Sequence, residues 1–140
     1  MTTPSIQLAG CIILDPQQRI LLLHRNKNGK IQWETPGGKL EPHESADQAA
    51  QRELIEEIGI KVNITSKIGE GTFSESATNY HYTWFKAELA GDRTHINLEP
   101  GFESYQYFSL SDLEKNLSKL SSGTKTLLEL HQAQKINIFC

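Results

Sequence analysis

Two runs near the start of the chain are apolar without alternation. Residues 5–14 (SIQLAGCIIL) and 19–25 (RILLLHR) carry apolar side chains on both sides of any extended backbone. The first reads as β-rich and the second as a buried strand. Asp15-Pro16 marks a turn between them, so the pair reads as a hairpin. Residues 26–30 are a polar loop. A short strand follows at 31–34, stopped by Thr35-Pro36-Gly37-Gly38. Residues 45–58 change to helical spacing. Strand character returns at 61–67 and at 79–89 (NYHYTWFKAEL), the latter rich in aromatics. Residues 90–102 read as a loop, 105–109 as a last strand, and 111–120 and 124–133 as helices. Strands interrupted by one central helix and closed by C-terminal helices predict an α+β fold, a mixed sheet covered by helices.

The central helix has clear ends. Ser45-Ala46-Asp47-Gln48 fits a capping box, and Asp47 suits the positive end of the dipole. Gly59 is placed for the left-handed position after the helix, with Ile60 supplying the contact that follows. Its last two turns are less easily explained. Glu53, Glu56 and Glu57 stand at i, i+3 and i+4, within an arc of about 100°. Mutual repulsion and the negative end of the dipole together oppose folding by ~1–3 kcal/mol. Arg52 relieves part of this. A solvated acidic face is the plain alternative. A divalent cation would offset the cost, because magnesium takes oxygen ligands, with waters and substrate phosphates filling its other positions. Ala46, Ala49 and Ala50 share the acidic side of the wheel and leave room for a loop or ligand. The preceding glycines permit positive φ and close backbone approach. Residues 38–60 hold six of the 17 acidic side chains of the 140-residue chain, about twice the average density.

Length and composition narrow the reading further. A chain of 140 residues fits one domain, spanning 1–140, large enough to bury a core without disulfides. The formal net charge of -3 argues against a nucleic-acid polymer as partner, but not against a small phosphorylated ligand. Cys11 lies in an apolar run and reads as buried. Cys140 reads as incidental, and neither forms a CxxC pattern. The first residues, MTTPSIQLAG, show no basic leader, and no apolar run approaches a membrane span. A cytoplasmic protein without membrane contact is expected.

The stretch GGKLEPHESADQAAQRELIEEIGI resembles the signature of the Nudix hydrolases: Gly, five residues, Glu, seven residues, Arg-Glu, an aliphatic, any residue, Glu-Glu, any residue, Gly, an aliphatic. Gly38, Glu44, Arg52, Glu53, Leu54, Glu56, Glu57, Gly59 and Ile60 fill every fixed position. The preceding WExPGGK (Trp33 to Lys39) is similar to the MutT-like branch. The resemblance implies an α/β/α sandwich with a mixed sheet. It implies hydrolysis of a phosphoanhydride bond in a nucleoside diphosphate derivative with Mg²⁺, or Mn²⁺ in its place. By that analogy Glu53, Glu56 and Glu57 bind metal, the Gly38 carbonyl adds a ligand, Arg52 orients the glutamates and Glu44 braces the loop or assists metal binding. The base is Glu53 or a carboxylate of a later loop, with Glu99 and Glu103 as candidates. Arg25 and Lys39 flank the site and could hold phosphates beside Gly37. Trp33, Phe73, Tyr80 and Trp84 are candidates to stack on a base, with a place in the core as the alternative. WExPGGK leans towards nucleoside triphosphates, giving a monophosphate and pyrophosphate. A nucleotide sugar such as ADP-ribose and a non-catalytic nucleotide-binding module are the alternatives. The partner is a small nucleotide, and the expected state is monomer or homodimer.

Overall fold

The computed structural model describes residues 4–90 and 96–139. The elements run β1 (Ile6–Ile12), β2 (Ile20–Lys27), β3 (Lys30–Glu34), β4 (Gly37–Lys39), α1 (Ala46–Ile58), β5 (Val62–Glu75), β6 (Thr78–Leu89), β7 (Phe102–Phe108), α2 (Leu110–Lys115), a 3-10 turn (Leu117–Lys119) and α3 (Ser122–Gln132). A mixed four-stranded sheet has the order β4-β1-β6-β5, and a three-stranded antiparallel sheet has the order β3-β2-β7. β1 is one of the two inner strands of the first sheet, parallel to β6 and antiparallel to β4. This is the α+β sandwich that the pattern predicts.

The unbroken apolar runs have a direct cause. Ala9, Cys11 and Ile13 of the first run and Leu21 and Leu23 of the second enter one core with Ala49, Ala50, Leu54 and Ile58 of α1. The alternate residues Ile12, Ile20 and Leu22 enter a second core with Leu113, Leu120, Leu127 and Leu128. Both strands are therefore covered on both faces, which removes any polar alternation. Cys11 is buried as expected, and burial, then the nearby Glu57, pushes its thiol up to about 12. Cys140 and residues 91–95 of the expected loop lie outside the described residues. No helix among the described residues is long and apolar enough to cross a membrane.

Several expectations need correction. The first two runs do not form a hairpin ladder. Only Leu14 and Ile20 bridge, next to an Ile13–Leu21 hydrogen bond, before the strands part into different sheets. Each strand instead has both edges hydrogen-bonded within its own sheet, by β6 and β4 for β1 and by β3 and β7 for β2. The Thr35–Gly38 stop contains a strand, since Gly37 and Gly38 start β4. β5 continues to Glu75, past 67, through two register shifts against β6. β7 starts at Phe102, inside the expected loop, and ends at Phe108. Ser109 belongs to no strand. It caps α2 through a capping box with Asp112. That helix ends at Lys115, short of 120. The alanines also differ from expectation: Ala49 and Ala50 are fully buried, so their small size lets α1 lie close on β1 and leaves no room for a ligand.

The turn after β1 is held by Asp15, which is buried. Its carboxylate accepts from the backbone N–H groups of Gln17 (3.0 Å) and Arg19 (2.8 Å) and from Arg19 Nε (2.7 Å). Burial alone would raise its pKa, but the Arg19 and Gln17 bonds outweigh it and hold the group below its ordinary 3.8. A carboxyl group whose pKa is depressed by folding contributes stability above its unfolded value, lost as pH falls through the folded one. Asp15→Ala is therefore expected to lower stability by ~1–3 kcal/mol at neutral pH, since two backbone donors lose their acceptor. Urea melts of both proteins across the acid range should show that difference shrinking below the ordinary value of 3.8. A difference that persists undiminished in acid would refute the assignment.

Candidate active site

α1 forms as its sequence dictates. Ser45 Oγ accepts from Gln48 N, and Gln48 Oε1 accepts from Ser45 N, closing the capping box. Gly59 takes the left-handed conformation (φ 72°) and donates its N–H to the Ile55 carbonyl. Leu54 and Ile58 anchor the inner face, which turns Glu53, Glu56 and Glu57 towards β4 and the loop before the helix.

The three glutamates are graded in exposure. Glu57 is 4% exposed, and its Oε1 accepts the Gly37 N–H at 2.7 Å. The side chain of Glu53 is 15% exposed and that of Glu56 is 45% exposed. Glu53 lies against Gly38 so closely that a Cβ on Gly38 would stand 2.5 Å from its Cδ. Burial raises the pKa of Glu53 and raises that of Glu57 strongly. Charge on Glu53 adds to the effect at Glu57, and Glu99 adds to it at both.

Arg52 holds this group together. Its Nε and Nη2 bind Glu44 at 2.7 and 2.9 Å, Nη1 reaches Glu53 at 3.0 Å and Glu56 at 3.2 Å, and Nη2 also donates to the Lys39 carbonyl at 2.9 Å. Arg52 first, then the backbone of Glu41, hold Glu44 down to about 2. Glu44 ties Arg52 to the Glu41 N–H, which its Oε1 accepts at 2.9 Å.

Glu99 arrives by a route with no sequence signal. The last carbonyls of a helix lack intrahelical partners. Here the Asn97 N–H donates to Ile58 O and the Glu99 N–H to Glu57 O, at 2.9 and 3.0 Å. The segment is thereby stapled to the end of α1, within electrostatic range of Glu53, Glu57 and Arg25. Glu103 stands elsewhere, on β7. Its Oε1 accepts from Asn26 at 2.6 Å, and its Oε2 is 3.3 Å from His24 Nδ1.

Beside Gly37 and Gly38 opens a cavity of about 450 Å³. Arg25, Lys39, Phe73 and Tyr80 line it. Arg25 is fixed by a two-point pair with Glu34 (3.0 and 2.7 Å) and lies 4.6 Å over the Phe102 ring. Phe73 and Tyr80 stack on one another at 5.2 Å. Trp84 is wholly buried, stacked on Tyr82, and Trp33 packs against Phe108 and His24. Of the four aromatic candidates, only Phe73 and Tyr80 line this space. Sequence reading missed Gly10 and Tyr82. A Cβ at Gly10 would meet Pro36 O at 2.2 Å and the Tyr82 hydroxyl at 2.4 Å, and one at Gly37 would meet that hydroxyl at 2.2 Å. The glycine in an otherwise apolar strand was the available signal.

The NUDIX domain family matches residues 6–130. The chain belongs to the Nudix family. A putative 8-oxo-dGTP diphosphatase of Bacillus subtilis is 44% identical over 63 residues, 45% of this chain and 41% of that protein. An 8-oxo-dGTP diphosphatase of Proteus vulgaris is 39% identical over 64 residues, 44% of this chain and 57% of its own length. The chain thus spans about half the length of these curated relatives. Among solved structures, a MutT protein from Methanosarcina mazei has a TM-score of 0.78 at 25% identity, covering 96% of this chain and 98% of its own. A Nudix hydrolase from Nitrosomonas europaea has a TM-score of 0.79 at 21% identity, covering 95% and 92%, a likeness of fold. Both the family and the MutT-like resemblance agree with the motif.

Among the described residues no three His, Cys, Asp or Glu side chains are gathered closely enough to hold an ion unaided. The donors nevertheless fit a hard divalent cation. They are carboxylate oxygens beside the backbone of β4, with Glu57 on the Gly37 N–H and Glu53 against Gly38. Magnesium binds through one or two carboxylates and keeps waters for the remainder. Glu57→Gln retains an acceptor for the Gly37 N–H while removing a buried charge. Without metal it should melt at or slightly above the wild-type temperature, and Mg²⁺ should raise its melting temperature less than the wild type's. Glu57→Ala, which orphans that N–H, should lose ~1–3 kcal/mol. Thermal melts with and without Mg²⁺ decide. A large loss in metal-free Glu57→Gln would show that the charge itself supports the fold.

Proposed function

We propose that this Nudix protein is a divalent-metal-dependent pyrophosphohydrolase that cleaves a nucleoside triphosphate to a monophosphate and pyrophosphate. One observation carries the reading. The carboxylates Glu53 and Glu57 are fixed at Gly37 and Gly38, the start of β4, and the same two glycines line the aromatic-lined cavity. Phosphate chemistry at one end and a nucleoside at the other share a single backbone edge.

In this reading Glu53, Glu56, Glu57 and the Gly38 carbonyl would hold Mg²⁺ or Mn²⁺. Such an ion, when bound, lowers the pKa of water and neutralises charge on the phosphoryl group. Arg52 keeps Glu53 and Glu56 aimed along one face and so sets their geometry before substrate arrives. Lys39 and Arg25 line the same cavity and offer cations to the phosphate chain. Arg25 does this from a fixed position, because Glu34 holds its Nε and Nη2. Glu99 is the stronger candidate to take the proton of the attacking water on its carboxylate. Its backbone is pinned beside the acidic pair, whereas Glu103 is engaged with Asn26 and His24. The WExPGGK stretch and the diphosphatase relatives support a triphosphate substrate over a nucleotide sugar.

Hydrolysis should vanish in excess chelator and return with Mg²⁺ or Mn²⁺, and full activity in chelator would sink the mechanism. Rates at several Mg²⁺ concentrations then separate the roles. Glu53→Gln should lower the rate and raise the Mg²⁺ needed for half activity. Glu99→Gln should lower it by about 10²–10⁴-fold with the Mg²⁺ requirement nearly intact, as removal of a general base does. Glu103→Gln should stay near wild type. Near-wild-type turnover in both Glu99→Gln and Glu103→Gln would place the proton acceptor on α1, with Glu53.

A further inference from the structure

The cavity is lined by a further carboxylate, Glu75, that the mechanism does not use. Glu75, at the end of β5, lies two residues along the strand from Phe73, on the same face, and lines the cavity with it. Its Oε1 accepts from Lys30 Nζ at 2.8 Å, and its Oε2 from Ser122 Oγ at 2.6 Å. Lys30 begins β3 and Ser122 begins α3, so three elements fix one half-buried carboxylate. The same bonds hold its pKa below the ordinary value, Lys30 first and Ser122 second. Each oxygen has taken one donor and keeps a second lone-pair site.

A charged carboxylate only accepts hydrogen bonds. The Phe73–Tyr80 pair supplies a flat apolar wall beside it, which suits a heteroaromatic ring. Rings differ in what their edge presents. Guanine offers two adjacent donors, the ring N1–H and the exocyclic N2 amino group, which match the two oxygens of one carboxylate. Adenine offers one donor, its N6 amino group, next to the N1 lone pair, and that lone pair would face a carboxylate oxygen. We propose that Glu75, held by Lys30 and Ser122 beside the Phe73–Tyr80 wall, is the residue that selects a guanine-type base over adenine. This rests on the reading of the cavity as the nucleoside end of the site.

The amide of Gln at this position carries one acceptor and one donor, the complement of adenine's edge. Glu75→Gln therefore predicts an exchange of preference, which general damage to the fold would not produce. Equilibrium titration with GMP and with AMP in Mg²⁺ buffer reads the preference without hydrolysis. Wild type should bind GMP more tightly than AMP. The GMP-to-AMP affinity ratio should fall by about ten- to hundredfold in Glu75→Gln, in line with the discrimination of a two-point base contact. Glu75→Ala should lose the GMP preference without gaining affinity for AMP, and it carries the same comparison should the Gln variant melt early. An unchanged ratio in both variants, or a wild type without GMP preference, overturns the assignment. Turnover of dGTP and dATP by the same proteins is measured alongside. A GMP preference that depends on Glu75, with neither triphosphate hydrolysed, would uphold Glu75 and defeat the triphosphatase reading.

Discussion

The Arg52 guanidinium is the interaction on which the acidic end of the molecule depends. Its five N–H donors meet Glu44, Glu53, Glu56 and the Lys39 carbonyl. Without it, the carboxylates of one helix face would repel one another at the negative end of the helix dipole, and the loop before the helix would lose its tie to α1. Lysine could not replace it. A point charge with three donors cannot grip one carboxylate at two points while reaching two others and a carbonyl. The strong downward shift of Glu44 and the upward shift of Arg52 are two views of the same contact.

Arg52 does not neutralise everything. Glu57 lies on the inner side of the helix, its oxygen on the Gly37 N–H, and its surroundings favour the uncharged form. The helix keeps an electrostatic debt at its buried edge while its exposed edge is balanced.

The second constraint is steric. β4 approaches β1 closely because Gly10 stands opposite Gly37, with the Tyr82 hydroxyl filling the space that two Cβ atoms would need. Gly38 gives Glu53 its place in the same way. The paired glycines thus serve contact with the protein's own side chains. Gly38 is not among the residues with positive φ. The start of β4 also borders the cavity, so the closeness that seats the glutamates fixes one of the cavity's walls.

Local chemistry was written in the sequence. The capping box at Ser45, the glycine stop at 59, the i, i+3, i+4 glutamates and the double-sided strands all rest on short-range periodicity or on backbone groups a few residues apart. The Arg52–Glu44 contact was not read from the sequence, because the loop that carries Glu44 had no predicted geometry relative to the helix. What the sequence could not decide depends on long-range pairing. No local signal tells β1 to pair with β6 and leave β2, because both partners satisfy the same apolar pattern. Glu99 reaches the acidic face through bonds to the end of α1, some 40 residues earlier, and Glu103, four positions on, faces His24 instead. Phe73 and Tyr80 were indistinguishable by composition from Trp84. Tyr80 and Trp84 even share a face of β6, and position along the paired strands buries Trp84 and leaves Phe73 and Tyr80 on the cavity. The residue types fixed which chemistry was available, and the tertiary fold chose among equivalent side chains by burying some and facing others towards the cavity.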